Sequence, residues 1–339
     1  MAKTPRVVHV TGFGNSGAGA VMHLLGECEG FHCPPQEFYV LHHPDGLMSL
    51  EDSLVRTWDP FGPDFALRRF RDLVKVLARP HTRFQFGLDY HRLFTPRFAE
   101  LANAFADRIS DVRFDGHFMF RRAEMSAPEH FAFLACQRFK IARGSRFFLK
   151  RYGTQFVTSG EPFMKEARAF VDELTRAIVE GTGATDLALL QGSLPNHVDR
   201  CNGYFESAKA VIIDRDPRDI YLSAQSATYM PRDVGAFIAW FEAARAGAPK
   251  KGVHGGAINV SFEDLVLDYD RTVGAIFEFL GVDPARHTKK RTVFKPEQSA
   301  KRIAKWKSHP DKAALRPIEA ALPGYLSATA EDAKESRAS

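Results

Sequence analysis

The amino-acid sequence predicts a three-layer α/β fold, in which a parallel β-sheet carries helices on both faces and the chain contains one helical insertion. Short apolar segments, bounded by glycine or polar residues as buried strands usually are, alternate with segments of helical periodicity. Alternation of this kind favours a parallel sheet covered on both sides. At about residues 47–180 the alternation stops and apolar residues recur mainly at helical spacing, which predicts the insertion.

Each predicted element follows from its local pattern. Four short segments rich in β-branched or aliphatic residues are predicted to be buried strands: Arg6–Thr11, Asp186–Gln191, Ala208–Asp214 and Ala257–Ser261. Segments with helical spacing or helix-stop glycines are predicted to be helices: Ala18–Gly30, Ile220–Gln225 and Tyr269–Leu280. Residues 1–326 are assigned to one domain, and the small, polar segment 327–339 is predicted to be a disordered tail.

Composition narrows the classes of partner. The chain carries 46 Lys and Arg against 41 Asp and Glu, a net charge of +5, which favours anionic partners such as nucleotides, glycans, nucleic acid or lipid headgroups. No nucleic-acid reading motif is present, so nucleic acid is not the expected partner. No apolar run approaches the ~20 residues of a membrane span, and no signal peptide is evident. We therefore expect a cytoplasmic protein, and the four cysteines indicate neither a disulfide framework nor a metal site.

The segment Thr11–Gly19 is a glycine-rich loop between the first strand and a helix. Backbone N–H groups of such a loop, together with the positive end of the helix dipole, can bind a phosphate or sulfate. The ATP-binding pattern G-x-x-x-x-G-K-[ST] is not met, because Ala18 and Gly19 follow Gly17. The loop therefore disfavours a P-loop kinase, although a tight strand-to-helix turn without a ligand remains an alternative.

A second candidate anion site follows the strand Ala208–Asp214. Arg215 comes at the carboxyl end of that strand, where ligands bind in open α/β sheets, and Ser223 follows eight residues later. A guanidinium and a hydroxyl placed in this way can both contact one phosphate. The alternative is a structural salt-bridge turn in which Asp216 and its neighbours cap the helix.

The order of three motifs resembles the sulfotransferase family. These are the glycine-rich loop, the D-R-D-P-R-D segment followed by Ser223, and N-V-S-F-E-D-L before a helix that ends in F-L-G. Members transfer a sulfuryl group from 3′-phosphoadenosine 5′-phosphosulfate (PAPS). The resemblance covers roughly Arg6–Gly30 and Asp186–Lys307, and it implies a P-loop-like fold with PAPS as donor. It also implies that Arg215 and Ser223 bind the 3′-phosphate and that these loop residues bind the 5′-phosphosulfate: Gly14, Asn15, Ser16, Gly17, Ala18 and Gly19.

A basic segment near the end of the chain resembles the family segment that closes over the nucleotide. It reads S-A-K-R-I-A-K-W-K, and the resemblance makes Lys301, Arg302 and Lys305 candidate phosphate ligands. The surrounding basic run could equally form a solvated or nucleic-acid-binding face.

The loop departs from the family at the position of its usual lysine or arginine, which is Asn15 here, and its two threonines are Ala18 and Gly19. The cation that would neutralise the leaving oxygen is therefore missing from its usual place. A non-catalytic nucleotide-binding protein of the same fold is accordingly the alternative to an enzyme.

Sulfuryl transfer to a hydroxyl or amine needs a general base and no metal. Glu37 is the first candidate, because the glycan-modifying branch of the family carries a glutamate in a similar place, just after the first helix. His197 is its rival, because the small-molecule branch has a histidine upstream of the arginine strand. A sugar or glycan hydroxyl is the expected acceptor if Glu37 has this role.

Overall fold

The computed structural model describes residues 4–116, 119–151, 153–157, 159–227, 229–310 and 312–327. The chain divides into two compact units. The sheet unit consists of Met1–Tyr39 and Thr175–Ser339, and the helical unit is the continuous segment Val40–Leu174. The helical unit occupies most of the segment predicted as the insertion, while the assignment of residues 1–326 to one domain stays a prediction.

The strands form a large sheet and a small one. Their bounds are β1 Arg6–Gly12, β2 Phe31–His32, β3 Val112–Phe114, β4 Thr154–Phe156, β5 Asp186–Leu190, β6 Ala208–Asp214, β7 Gly252–His254 and β8 Ala257–Ser261. The large sheet belongs to the sheet unit and has the order β2-β5-β1-β6-β8-β7. All neighbours in it are parallel except β7, which pairs antiparallel with β8. The predicted parallel sheet is confirmed.

The α-helices of the described residues are α1 Ala18–Gly26, α2 Leu47–Glu51, α3 Gly62–Leu77, α4 Tyr90–Leu93, α5 Phe98–Arg108, α6 Met119–Ala123, α7 Ala127–Arg138, α8 Ala142–Arg151, α9 Phe163–Val179, α10 Val198–Asn202, α11 Pro217–Ala224, α12 Val234–Arg245, α13 Phe262–Leu267, α14 Tyr269–Leu280, α15 Pro296–Ser299 and α16 Arg316–Ala321. A π-helical turn, Asp52–Arg56, follows α2, and short 3₁₀ turns lie at Pro284–Arg286, Ala300–Arg302, Lys305–Ser308, Ala313–Leu315 and Pro323–Tyr325.

Helices cover both faces of the large sheet, as the sequence predicts. Successive side chains of a strand point to opposite faces. Val211 and Ile213 of β6 therefore join a core built with α1, α13 and α14. Ala210 and Ile212 point the other way and join a second core with Phe13 and side chains of α10 and α12. The sheet unit is thus the predicted three-layer α/β structure.

The helical unit has an aromatic core of its own. Phe105 stacks on Phe170 at 5.2 Å between ring centroids and meets Phe70 edge-on at 5.7 Å. This unit also contains the two-stranded antiparallel sheet of β3 and β4, which we did not predict from the sequence. Its three-residue strands are too short to show a period of two, and all of β3 is exposed.

Two helix boundaries differ from the sequence prediction. The helix predicted to run to Gly30 ends at Gly26, because Glu27 closes the last turn with its N–H bonded to Leu24 and Leu25 carbonyls. The helix predicted to begin at Ile220 begins at Pro217, where the Asp216 carboxylate accepts a hydrogen bond from the Arg218 N–H and caps it.

No helix in the described part of the chain is long and apolar enough to cross a bilayer. The predicted disordered tail, residues 327–339, lies outside the described residues apart from Ser327.

Candidate functional site

The glycine-rich loop connects the carboxyl end of β1 to α1 and approaches its neighbours closely. A Cβ on Gly12 would lie 2.8 Å from the carbonyl oxygen of Ile213, and one on Gly17 would lie 2.5 Å from the ring of Phe262. Gly17 also has φ of 108°, in the left-handed region that disfavours other residues. These two glycines are therefore required by close packing and backbone conformation.

The loop opens into the amino terminus of α1. Gly17 is the N-cap, and no side chain caps this end of the helix, which begins at Ala18 and continues through Gly19. Inside the loop the buried Ser16 hydroxyl accepts a hydrogen bond from the Phe13 N–H at 3.2 Å. An uncapped amino terminus behind a glycine-rich turn supplies backbone donors to an anion.

The Asn15 side chain is engaged by a neighbouring segment. Its Oδ1 accepts a hydrogen bond from the Tyr229 hydroxyl at 2.7 Å, and its Nδ2 lies 3.7 Å from the sulfur of Met230. Asn15 itself has φ of 49°, a left-handed conformation that asparagine tolerates. The loop position that carries a cation in the resembled family is thus held by neutral contacts.

Arg215 connects the loop to the basic segment, residues 299–307. Its guanidinium is buried and donates to the backbone carbonyl of Asn15 at 3.3 Å and to that of Arg302. It also lies 3.6 Å from the carboxylate of Asp219. Burial lowers the pKa of Arg215, the charge of Asp219 opposes this effect, and the positive charge of Arg302 adds to it.

Ser223 lies two turns into α11, one turn beyond Asp219. Its hydroxyl donates to the Asp219 carbonyl at 2.8 Å, while the Asp219 carboxylate faces Arg215. The structure therefore joins Arg215 to the loop at Asn15, and it places Ser223 in α11, the helix that follows Arg215.

An acidic network supports this arrangement, and we did not identify it from the sequence as part of the site. Glu263 accepts a hydrogen bond from the Asp216 N–H at 3.0 Å, and Asp216 in turn forms an ion pair with Arg218 at 2.7 Å.

The basic segment contacts α11 at two points. The guanidinium carbon of Arg218 lies 3.5 Å from the centroid of the Trp306 ring, and the Asp219 carboxylate accepts a hydrogen bond from the Ala304 N–H at 2.8 Å. These contacts hold the basic segment against α11, so Arg218 and Asp216 have the structural role considered as the alternative.

The side chains of Lys301, Arg302 and Lys305 are all exposed. Arg302 differs from the other two because its backbone carbonyl accepts a hydrogen bond from the Arg215 guanidinium and its positive charge contributes to lowering the pKa of Arg215. Of the three predicted ligands, Arg302 is therefore the one associated with Arg215.

Glu37 lies at the same edge of the sheet as the loop. It forms an isolated parallel bridge with Leu190, the last residue of β5, and Phe38 donates to the Leu190 carbonyl at 2.8 Å. Since β5 neighbours β1, the Glu37 backbone lies two strand spacings, about 10 Å, from β1. The Tyr39 hydroxyl donates to the Glu37 carboxylate, and burial together with that charge raises the pKa of Tyr39.

His197 lies elsewhere. It is the exposed N-cap residue of α10 and lines a cavity of about 430 Å³ with His254, Gly255 and Ala257. Ala257 is the first residue of β8, so this cavity adjoins the amino end of that strand. Arg215 follows the carboxyl end of the neighbouring parallel strand β6. The structure does not place His197 with Arg215 and the loop.

A second cavity, of about 460 Å³, lies at the carboxyl ends of β6 and β8. It is lined by Arg215, Ser261 and Glu263, and by the cationic Lys250 and Lys251. Among the described residues, neither Nε of Arg215 nor Oε2 of Glu263 has a hydrogen-bond partner, although both atoms are buried. The cavity therefore continues the candidate site beyond Arg215.

Glu263 gives the protein a pH-dependent stability. Burial raises its pKa to about 7 from an ordinary value of 4.5, so the folded state binds the proton more tightly than the unfolded chain. The resulting contribution to the free energy of unfolding is fully present below pH 4.5 and is lost as the pH rises through about 7. The total loss is about 3 kcal/mol. Glu263→Gln cannot ionise, and we expect its free energy of unfolding to lack this decline.

Urea unfolding of wild type and Glu263→Gln between pH 5 and 8 measures the difference. Glu278→Gln, a change at an exposed glutamate, serves as the control and should follow the wild-type pH profile. Parallel profiles for wild type and Glu263→Gln would contradict the assignment.

No protein-family model matches the chain, and no curated protein matches it. The solved structures to which the chain is similar include two sulfotransferase domains and a retinol dehydratase. The sulfotransferase domain of the Synechococcus PCC 7002 olefin synthase is 16% identical with a TM-score of 0.39, over 97% of this chain and 98% of that one. The sulfotransferase domain of the curacin biosynthetic pathway is 11% identical with a TM-score of 0.40, over 96% and 100%. Retinol dehydratase, solved with androsterone and the inactive cofactor PAP, is 14% identical with a TM-score of 0.35, over 97% and 83%. At these values the similarity does not by itself assign the chain to a family.

Proposed function

We propose that the chain is a sulfotransferase that binds PAPS and transfers its sulfuryl group to a hydroxyl or amine acceptor, with a sugar or glycan hydroxyl as the expected case. The observation that carries the proposal is the hydrogen bond from the Arg215 guanidinium to the Asn15 carbonyl at 3.3 Å. It joins two anion-binding elements, which are 200 residues apart in sequence, at the ligand-binding edge of the sheet.

Donor binding would use the two ends of this arrangement. Backbone N–H groups at the amino terminus of α1 would hold the 5′-phosphosulfate, as the sequence resemblance implies. Arg215 and Ser223 would hold the 3′-phosphate. A hydrogen bond from the Arg215 guanidinium to the phosphate would then replace its hydrogen bond to the Arg302 carbonyl. Phosphate binding would therefore release this contact between Arg215 and the basic segment.

The transfer step would place the acceptor oxygen in line with the bond that breaks. The acceptor oxygen forms a bond to sulfur while the bond from sulfur to the 5′-phosphate oxygen breaks, and the acceptor proton passes to a general base. Glu37 is the base we favour, since it lies at the loop's edge of the sheet and His197 does not. The Tyr39 hydroxyl, which donates to the Glu37 carboxylate, would orient it.

A non-catalytic nucleotide-binding protein is the second candidate. It is favoured by Asn15, whose amide is held by Tyr229 and Met230 and supplies no positive charge to a leaving phosphate. The two candidates differ in one measurement, the transfer of labelled sulfate from PAPS to a panel of hydroxyl acceptors. Tight binding of 3′,5′-ADP without turnover would favour the second candidate.

Arg215→Ala is expected to weaken binding of 3′,5′-ADP at least about tenfold, because a charge-assisted contact contributes roughly 1.5–3 kcal/mol. Binding of AMP, which lacks the 3′-phosphate, should barely change. Calorimetric titration with both nucleotides measures this, after a thermal-shift comparison of 3′,5′-ADP, AMP and ATP has established nucleotide preference. Equal losses for the two ligands would contradict the assignment.

Arg215→Lys and Ser223→Ala are the matched variants. Lysine keeps the positive charge but cannot donate two parallel hydrogen bonds as a guanidinium does. We therefore expect the affinity of this variant for 3′,5′-ADP to lie between those of wild type and Arg215→Ala. Thermal unfolding of each variant shows whether removal of a buried guanidinium has disturbed the fold rather than the ligand contact.

A further inference from the structure

The helical unit exposes a concentrated group of large apolar side chains on α7, α8 and the turn between them. We call residues 127–149 the aromatic hairpin. Phe131 is 76% exposed, Phe139 72%, Phe147 56%, Ile141 49% and Leu134 43%. Large apolar side chains exposed together in this way mark an interaction surface.

The hairpin that carries these exposed side chains has a packed core of its own. The hairpin has an inner side, where Phe133 and Phe148 are buried and meet edge-on at 5.7 Å between centroids. Met125 and the partly buried Cys136 complete that small core. The exposed apolar group therefore lies on the outer side of a packed helical hairpin.

Cations are interleaved with the apolar group. Between Phe131 and Phe147 the sequence has Arg138, Lys140, Arg143 and Arg146 and no Asp or Glu. All four cations are exposed, and none forms an ion pair with another described residue. Four like charges on one short hairpin are complementary to a surface of dense negative charge.

The mixture of residues distinguishes between two kinds of partner. Protein–protein interfaces are enriched in phenylalanine and arginine, but the cores of such interfaces are depleted in charged residues, whereas this hairpin carries four cations and no acidic residue between Phe131 and Phe147. Phenylalanine and isoleucine alternating with lysine and arginine, as at the tip Phe139–Lys140–Ile141, match the interface of a bilayer. There apolar rings enter the boundary of the acyl chains while cations contact lipid phosphates.

We propose that the helical unit docks on an anionic lipid surface through the aromatic hairpin, lying on the membrane without crossing it. This proposal does not depend on the proposed sulfuryl transfer, because it concerns residues outside the nucleotide site.

Co-sedimentation of the full chain with vesicles tests the proposal. We expect binding to mixed phosphatidylglycerol–phosphatidylcholine vesicles, weak binding to phosphatidylcholine alone, and loss of binding at high salt. Each cation removed should weaken binding about fivefold, so Lys140→Ala/Arg143→Ala should lose about 25-fold. Phe139→Ser should lose at least about tenfold, because its ring no longer enters the bilayer.

Phe84→Ser is the matched control, since Phe84 belongs to the same unit and is 94% exposed outside the hairpin. It should bind like wild type, and circular dichroism should show every variant folded. Absence of binding to anionic vesicles, or an equal loss in Phe84→Ser, would overturn the proposal. So would sedimentation showing that wild type self-associates and Phe139→Ser does not, because the hairpin would then pair with a second copy.

Discussion

Glu37→Gln is expected to lower kcat by about 10²–10⁴ and to leave donor-nucleotide affinity nearly unchanged. Glutamine preserves the shape of the side chain, but its amide cannot act as a base and take the proton from the acceptor hydroxyl. The structure supports this choice by pairing Glu37 with the end of β5, next to the strand that leads into the glycine-rich loop. Initial rates at saturating PAPS, with calorimetry for 3′,5′-ADP, measure the two quantities separately.

His197→Ala is the matched variant for this prediction. His197 lines the cavity beside Gly255 and Ala257 at the amino end of β8, so its removal should change kcat little. If His197→Ala is inactive and Glu37→Gln is active, the two roles must be exchanged. Tyr39→Phe removes the hydroxyl that contacts Glu37, and a shifted pH profile with retained activity would indicate a positioning role.

Arg302→Ala is expected to lower turnover about a hundredfold. As the bond to sulfur breaks, negative charge develops on the phosphate oxygen, and loss of one donor to such a charge costs about 2.7–4 kcal/mol. Asn15 cannot supply a full charge, whereas Arg302 adjoins Arg215, whose guanidinium also contacts the backbone carbonyl of Asn15 in the loop. The Arg302 carbonyl that accepts from Arg215 is retained in the alanine variant, so the contact between the two segments persists in the nucleotide-free protein.

Lys301→Ala and Lys305→Ala are the controls, because both side chains are exposed on the same segment. We expect their rates to stay close to wild type. Rates within about threefold of wild type for all three variants would mean that none of these cations stabilises the transition state. Wild type that binds 3′,5′-ADP tightly and transfers no sulfate would indicate a binding protein.

Local patterns in the sequence predict the centre of the sheet well. The strands β1, β6 and β8 are short apolar runs that end at a glycine or polar residue, and that pattern fixes their limits to within a residue. The loop and Arg215 follow two of these strands directly. Because β1 and β6 are adjacent and parallel, the glycine-rich loop and the segment that begins at Arg215 both lie at the carboxyl ends of the strands.

The rest depends on contacts between residues far apart in sequence. The two-residue strand β2 and the three-residue strand β7 form only because β5 and β8 present edges to pair with. The Asp216 N–H donates a hydrogen bond to Glu263, which is 47 residues away in the chain. No spacing rule in the sequence connects these two residues. The positions of Glu37 and His197 relative to the sheet edge likewise depend on how their loops pack, and sequence spacing alone left both open.

The placement of β1 has a consequence for biosynthesis. β1 lies between β5 and β6, yet both neighbours follow the whole of the helical unit in the chain. A ribosome adding 5–20 residues per second needs about 9–36 s to travel from the end of β1 to the end of β5, the first of the two neighbours to be made. During that interval the apolar strand has neither of its hydrogen-bonding partners, and unpaired strands of this kind promote aggregation. The continuous helical unit can complete its own contacts meanwhile, so the nascent chain is expected to need chaperone protection chiefly for the segment Met1–Tyr39.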